Sequence, residues 1–189
     1  MTKEQQQESS ESRQKKPPEK KILAKGEFLA LIREAHWEYA VRVNANGAAI
    51  IVAVTDDQKL VLVEQYRIPC HARTIELPAG IAGDSSAIAG EALAETARRE
   101  LLEETGYSAA HVELLTSGAA SSGLSSEIVT LFRATGLSRA GAGGGHEGEG
   151  ITVHEVPIAE AHDWLAAKTR SCFLVDPKIY AALYFILHS

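Results

Sequence analysis

Three glutamates, Glu100, Glu103 and Glu104, fall within five positions of one another in the stretch RRELLEETGY, residues 98–107. At i, i+3 and i+4 they share one face if the stretch is helical. The plain reading is a solvated charged face, because Glu95, Arg99 and Glu103 make i,i+4 pairs of opposite sign. The order runs against helix stability, however. Glu103 and Glu104 precede Gly106, the expected C-terminal stop, where the helix dipole disfavours negative charge. Something else is expected to compensate them, and hard carboxylate oxygens gathered on one face suit a divalent cation such as magnesium or manganese.

The element that must hold these side chains is a helix from about residue 90 to 105, with Leu93, Ala97 and Leu101 as its apolar stripe. Upstream, residues 1–21 are rich in Gln, Ser, Glu and Lys with a Pro-Pro pair, and are expected to be a disordered tail. From Ile22 the runs ILAKG, EFLALIRE and HWEYAVRVN predict three short strands of a small N-terminal sheet, taken as residues 22–46. GAAIIVAVT and LVLVEQYR, joined by the DDQK turn, predict a hairpin buried on both faces. TIELPAG ends a further strand, and the small-residue loop IAGDSSAIAG leads into the glutamate helix. Beyond Gly106, VELLTSGAA, EIVTLFRATGL and ITVHEVPI read as strands, and the glycine-rich segment 138–150 as a flexible loop. Two amphipathic helices follow, the second opened by Asp176 as N-cap with Pro177 at its first position. The fold class is mixed α/β (α+β), with residues 47–189 as the main domain.

A chain of 189 residues with 45% hydrophobic residues is large enough for one buried core. Its net charge of −6 and the lack of a basic stripe with interleaved aromatics argue against a nucleic-acid partner. No apolar run approaches the ~20 residues that cross a bilayer, and the N-terminus has no signal-peptide core, so neither membrane nor export is expected. Cys70 and Cys172, without metal or redox spacing, are expected as reduced, buried thiols of a cytoplasmic protein.

The stretch GEALAETARRELLEETGY resembles the second part of the Nudix box, G-x5-E-x7-R-E-U-x-E-E-x-G-U with U apolar. Glu91, Arg99, Glu100, Leu101, Glu103, Glu104, Gly106 and Tyr107 all fall in place. The opening glycine does not: its position holds Ser85, and Gly80 of LPAG becomes the counterpart, with ten residues between it and Glu91 instead of five. Such an insertion costs little, since doubling a loop adds only about 0.6 kcal/mol of closure entropy. Over roughly residues 22–188 the chain resembles the ADP-ribose pyrophosphatase branch of the Nudix hydrolases. EQYRIP and IELPAG lead into the box as they do there, and the three N-terminal strands match that branch's small antiparallel sheet.

The resemblance implies a mixed sheet between helices, and a homodimer whose N-terminal sheet is swapped between subunits. It implies hydrolysis of a nucleoside diphosphate sugar with magnesium, manganese being a possible substitute. Glu100 and Glu104 become the main metal ligands, Glu103 assists, and the carbonyl of Ala79 adds a neutral oxygen. Arg99 is expected to orient the glutamates, Glu91 to be a structural partner at the helix start, and Arg67 to meet a phosphate oxygen or to be an ordinary surface arginine. Phe28 and the Trp37-Glu38 pair match the aromatics that stack on the nucleobase from the two subunits, with core and interface roles as the alternative. The general base is expected in the glycine-rich segment, at Glu147, with Glu149 or Glu127 as alternatives. The branch's ADP-ribose proline is Ser122 here, which opens the substrate to other nucleoside diphosphate sugars, GDP-mannose or dinucleoside compounds, and a non-catalytic nucleotide-sugar sensor is the remaining alternative.

Overall fold

The computed structural model describes residues 18–45, 47–83, 92–146 and 149–188. Strands β1 (Lys20–Lys25), β2 (Leu29–Glu34) and β3 (Trp37–Arg42) form a separate antiparallel sheet in that order. The first strand opens two residues ahead of Ile22, because Lys20 and Lys21 pair with Glu34 and Arg33. On β2 only Ala30 and Ile32 are buried, and Leu29, Leu31 and the neighbouring Phe28 stay exposed. The sheet is tied to the main domain at one seam: the Ala40 N–H donates to the Leu124 carbonyl at 2.9 Å and the Ala40 carbonyl accepts from Ser126 at 3.1 Å.

The expected hairpin of the two aliphatic runs is not a hairpin. Strand β4 (Ala48–Ala53) and strand β5 (Lys59–Arg67) meet only at a Val54–Leu60 bridge and the Thr55-to-Lys59 turn bond, then part into two sheets. One sheet runs β7 (Ala79–Ile81), β4, β9 (Ile128–Arg139), β8 (Tyr107–Ala119), with β4 and β9 parallel. The other runs β10 (Thr152–Pro157), β5, β6 (Ala72–Glu76), β11 (Leu174–Val175). The reason is in the composition: strands apolar on both faces are stable in the middle of a sheet with both faces covered, which a two-stranded hairpin cannot provide.

Helix α1 (Leu93–Thr105) covers one side, where Ala97 and Leu101 pack on Ala49, Ile51, Val61 and Phe132. Helices α2 (Ala161–Arg170) and α3 (Lys178–Leu187) cover the other, through Leu165 and Ile179 against Ile50, Val52, Leu60 and Ile75. The sheets therefore lie between helices, as expected. Each fully buried Leu or Ile contributes about 1.5–3 kcal/mol. A polar tie reinforces α2: Glu64 on β5 meets Arg73 at 2.6 Å, His154 at 2.9 Å and Lys168 at 3.0 Å. Burial would raise the Glu64 carboxyl, but the bonds from Lys168, His154 and Arg73 outweigh it and hold it at about 2. Both cysteines are exposed, contrary to expectation: each lies beside a turn residue with positive φ or on one, at His71 and Cys172, where the chain is at the surface.

The described part of the glycine-rich segment, residues 138–146, makes defined backbone contacts. It lies across the C-terminal end of α1, whose last carbonyls have no partner within the helix. Gly144 and Gly145 donate to the carbonyls of Glu104 and Glu103 at 2.8 and 3.0 Å, and the Arg139 guanidinium to that of Thr105 at 2.7 Å. Gly106 itself is left-handed at φ 76°, and its carbonyl takes the amides of Ala140 and Gly141. A Cβ at Gly106 would stand 2.4 Å from the Gly141 oxygen. Gly106→Ala is therefore expected to cost at least about 1–3 kcal/mol, read as a lower urea midpoint; an unchanged midpoint would show that the segment yields.

Candidate active site

One face of α1 opens on a cleft of about 640 Å³, walled by β7, the ends of β5 and β6, the segment before β9 and the first turn of α3. Glu100, Glu103 and Glu104 all line it, so the helical spacing does bring the three carboxylates to one place. Their partners are fixed by the elements around them. Arg99 Nη1 stands 2.9 Å from Glu100 and 2.8 Å from Glu103, bridging the two. Glu104 points into the fold, 7% exposed, where its carboxylate accepts the Ala79 N–H at 3.1 Å. A Cβ at Gly80 would fall 2.0 Å from the Glu100 side chain, so that side chain can keep its place only beside a residue without one. β7 thus approaches α1 as closely as a bare backbone allows.

Burial drives the Glu104 carboxyl up to about 8, with the charges of Glu100 and Glu149 adding, against the Ala79 hydrogen bond and Arg67. Among the described residues no three acidic, histidine or cysteine groups converge as a ready metal cage. Arg99 draws off Glu100 and Glu103, and the Ala79 amide holds Glu104. The donor set nonetheless fits a divalent cation: it is all oxygen, it is crowded with like charge, and its most buried member resists ionising without a compensating positive charge.

Other expected residues divide. Glu149 lines the cleft, its carboxylate accepting the His146 N–H at 2.9 Å. Glu127 lines it too and is paired with Arg42. Arg67 is present, but both of its bonds go to Glu76, at 2.8 and 2.7 Å. Glu91 and Glu147 lie outside the described residues. Trp37, half exposed, is not in the cleft but in a smaller recess of about 400 Å³ with Glu34, Tyr39 and Ser122. Glu38 is occupied by Arg33, and Phe28 lines neither cavity among the described residues. Sequence reasoning missed Arg42, Glu76, His146, Asp176 and Lys178, all of which line the cleft. The available signals were weak: Arg42 follows Trp37-Glu38 on one strand, and Asp176 and Lys178 flank the proline that opens a helix.

The Glu104 environment sets a pH dependence. In the metal-free protein the unfolded chain ionises this group near 4.5, whereas the folded chain keeps its proton to about 8. Stability from this group is complete below 4.5 and is lost as pH rises through 8. Glu104→Gln is expected to raise the melting temperature of metal-free protein at pH 8.5 and to leave it nearly unchanged at pH 4; equal shifts at both values would refute the assignment.

Residues 45–174 match the NUDIX domain family. The chain is 37% identical over 141 residues to a methanol dehydrogenase activator of Bacillus methanolicus, covering 74% of this chain and 71% of that one. It is 41% identical over 92 residues to an ADP-ribose pyrophosphatase of Bacillus subtilis, covering 49% of this chain and 47% of the relative. In three dimensions it resembles a crystal structure described as an ADP compounds hydrolase, with a TM-score of 0.65 at 21% identity over 90% of this chain and 92% of that one, a likeness of fold. Because the match spans well over half of the sequence and contains the helix that lines the cleft, the chain belongs to the Nudix family.

Proposed function

We propose that this protein is a magnesium-dependent hydrolase that splits the pyrophosphate of ADP-ribose or a related nucleoside diphosphate sugar into a nucleoside monophosphate and a sugar phosphate. The observation that carries the reading is the crowding of Glu100, Glu103 and buried Glu104 in one cleft against the bare backbone of Gly80. Nudix hydrolases generally use divalent metals. Glu100 and Glu104 would hold magnesium, with Glu103 and the Ala79 carbonyl assisting. Held by these residues, it would supply positive charge against the phosphoryl oxygens of the anhydride. Arg99 keeps Glu100 and Glu103 oriented through its bridging contacts. A carboxylate of the glycine-rich segment, Glu147 or else Glu149, takes the proton of the attacking water while the phosphorus–oxygen bond to the leaving group breaks.

Two further readings have their own support. Ser122 in place of the branch's proline weakens ADP-ribose as sole substrate and opens the site to GDP-mannose or another nucleotide sugar. The relative named for activating methanol dehydrogenase, matched over 71% of its length, supports a role beside an alcohol dehydrogenase.

A hydrolysis panel of ADP-ribose, GDP-mannose, UDP-glucose and diadenosine compounds with magnesium tests the proposal. Turnover of ADP-ribose is expected, reduced more than about a hundredfold by Glu104→Gln, and lowered by Glu147→Gln with metal binding kept. No turnover of any compound would sink the enzyme reading, and full activity of Glu147→Gln would move the base to Glu149 or Glu127. Adding the same preparations to a methanol dehydrogenase tests the activator reading, which fails if the dehydrogenase rate does not change.

We also propose a homodimer through the N-terminal sheet, supported by the exposed Phe28, Leu29, Leu31 and Trp37. Sedimentation velocity is expected to give twice the chain mass, and Trp37→Ala to weaken substrate affinity. A monomer, or unchanged affinity, would count against the dimer and the stacking role respectively.

A further inference from the structure

One polar side chain in the cleft wall makes no use of its hydrogen-bonding groups within the fold. The alternation of β5 turns Glu64 toward Lys168 of α2, and turns Gln65 and Arg67 toward the cleft. Gln65 is 8% exposed, and two of its fellow lining residues, Ile50 and Leu77, are buried and apolar.

The strand pairing explains why no polar neighbour serves it. Gln65 stands opposite Thr74 on β6. The Thr74 hydroxyl lies 2.5 Å from the Glu76 carboxylate and 3.2 Å from the main-chain carbonyl of Gln65, not from its amide. Glu76 also takes both bonds of Arg67. The three polar side chains around Gln65 thus satisfy one another. Among the described residues every other buried polar or charged side chain has a hydrogen bond, and the Gln65 amide has none. No side-chain polar atom of the described residues is both sealed from solvent and unpartnered. The small exposure of Gln65 therefore includes its amide, which reaches the cleft.

A largely buried amide without a partner costs stability that an apolar side chain of the same shape would not. Its chemistry narrows what can compensate it. A primary amide offers two N–H donors and an acceptor oxygen. A phosphoryl oxygen would use the donors alone and leave the amide oxygen turned on negative charge. A sugar hydroxyl both donates and accepts, so it answers both ends.

We infer that Gln65 is a specificity-determining residue of this cleft, its side-chain amide hydrogen-bonding a sugar hydroxyl of a nucleoside diphosphate sugar. The inference rests on the proposed reading of the cleft as a nucleotide-sugar site.

The test compares wild type and Gln65→Met as full chains, by calorimetric binding of ADP-ribose, ADP and 2′,3′-dideoxy-ADP with calcium, and by ADP-ribose hydrolysis with magnesium. Gln65→Met is expected to bind ADP-ribose about tenfold more weakly, the size of one lost hydrogen bond, with an equal or higher melting temperature. Loss confined to ADP-ribose assigns the hydroxyl to the sugar beyond the pyrophosphate. Loss with ADP-ribose and ADP, but not with dideoxy-ADP, assigns it to the nucleoside ribose. Equal loss with all three would make the contact a phosphoryl oxygen and overturn the role, as would unchanged affinity for ADP-ribose. A wild type that binds ADP-ribose without hydrolysing it, with binding weakened in Gln65→Met, would sink the hydrolase reading and keep Gln65. A wild type that binds none of the three overturns both.

Discussion

A carboxylate kept out of water constrains the rest of this molecule. Glu104 lies on a helix that must bury Ala97 and Leu101 on the sheets, and the same turn of helix places its own acid against β7. Burying a charge without a partner is expensive, and one hydrogen bond from Ala79 does not remove the cost, as its raised carboxyl shows. The surrounding structure makes room for a compensating charge while keeping the neighbouring acids from collapsing onto one another. Arg99 does the second task from the helix itself. Gly80 does the first, because any side chain there would occupy the space of Glu100.

The negative end of the same helix raises a second electrostatic demand, and backbone meets it. The amides of Gly144 and Gly145 and the guanidinium of Arg139 satisfy carbonyls at the helix end. A segment crowded with glycines is needed because it passes within contact distance of Gly106, whose own conformation excludes a side chain. The glycines thus serve close approach as much as freedom of movement. The two acidic residues at the helix end are tolerated because their main-chain oxygens are capped independently of their side chains.

How much of this was readable in the sequence depended on whether the signal was local. The glutamate face, its apolar stripe and its glycine stop lie within one helix, and spacing alone identified them. The strand-rich middle was also readable as strands, but the pairing was not: β4 and β5 look like a hairpin because only a short turn separates them, and nothing local reports that each will prefer other neighbours. The glycine-rich segment reads as a loop, but where its backbone lands does not, since the partner of Gly144 and Gly145 is a helix end some forty residues earlier. Arg42, Asp176 and Lys178 carry no motif that marks them for the cleft. They reach it through the β3 seam and through the parallel pairing of β11 with β6, which are tertiary events.

The parting of β4 and β5 bears on how the chain reaches its native state. Once they diverge, β4 must find a parallel neighbour about eighty positions downstream, at Val129 to Ala134. Pairings of such sequence separation pay loop-closure entropy before any contact repays it, which makes them slow to form. The glutamate helix is local, but the walls that turn its acidic face into a cleft come from both ends of the sequence, from Arg42 to Lys178. The cleft therefore depends on pairings between distant parts of the sequence, and a change that weakens β4–β9 pairing disturbs the cleft without touching any residue of the glutamate helix.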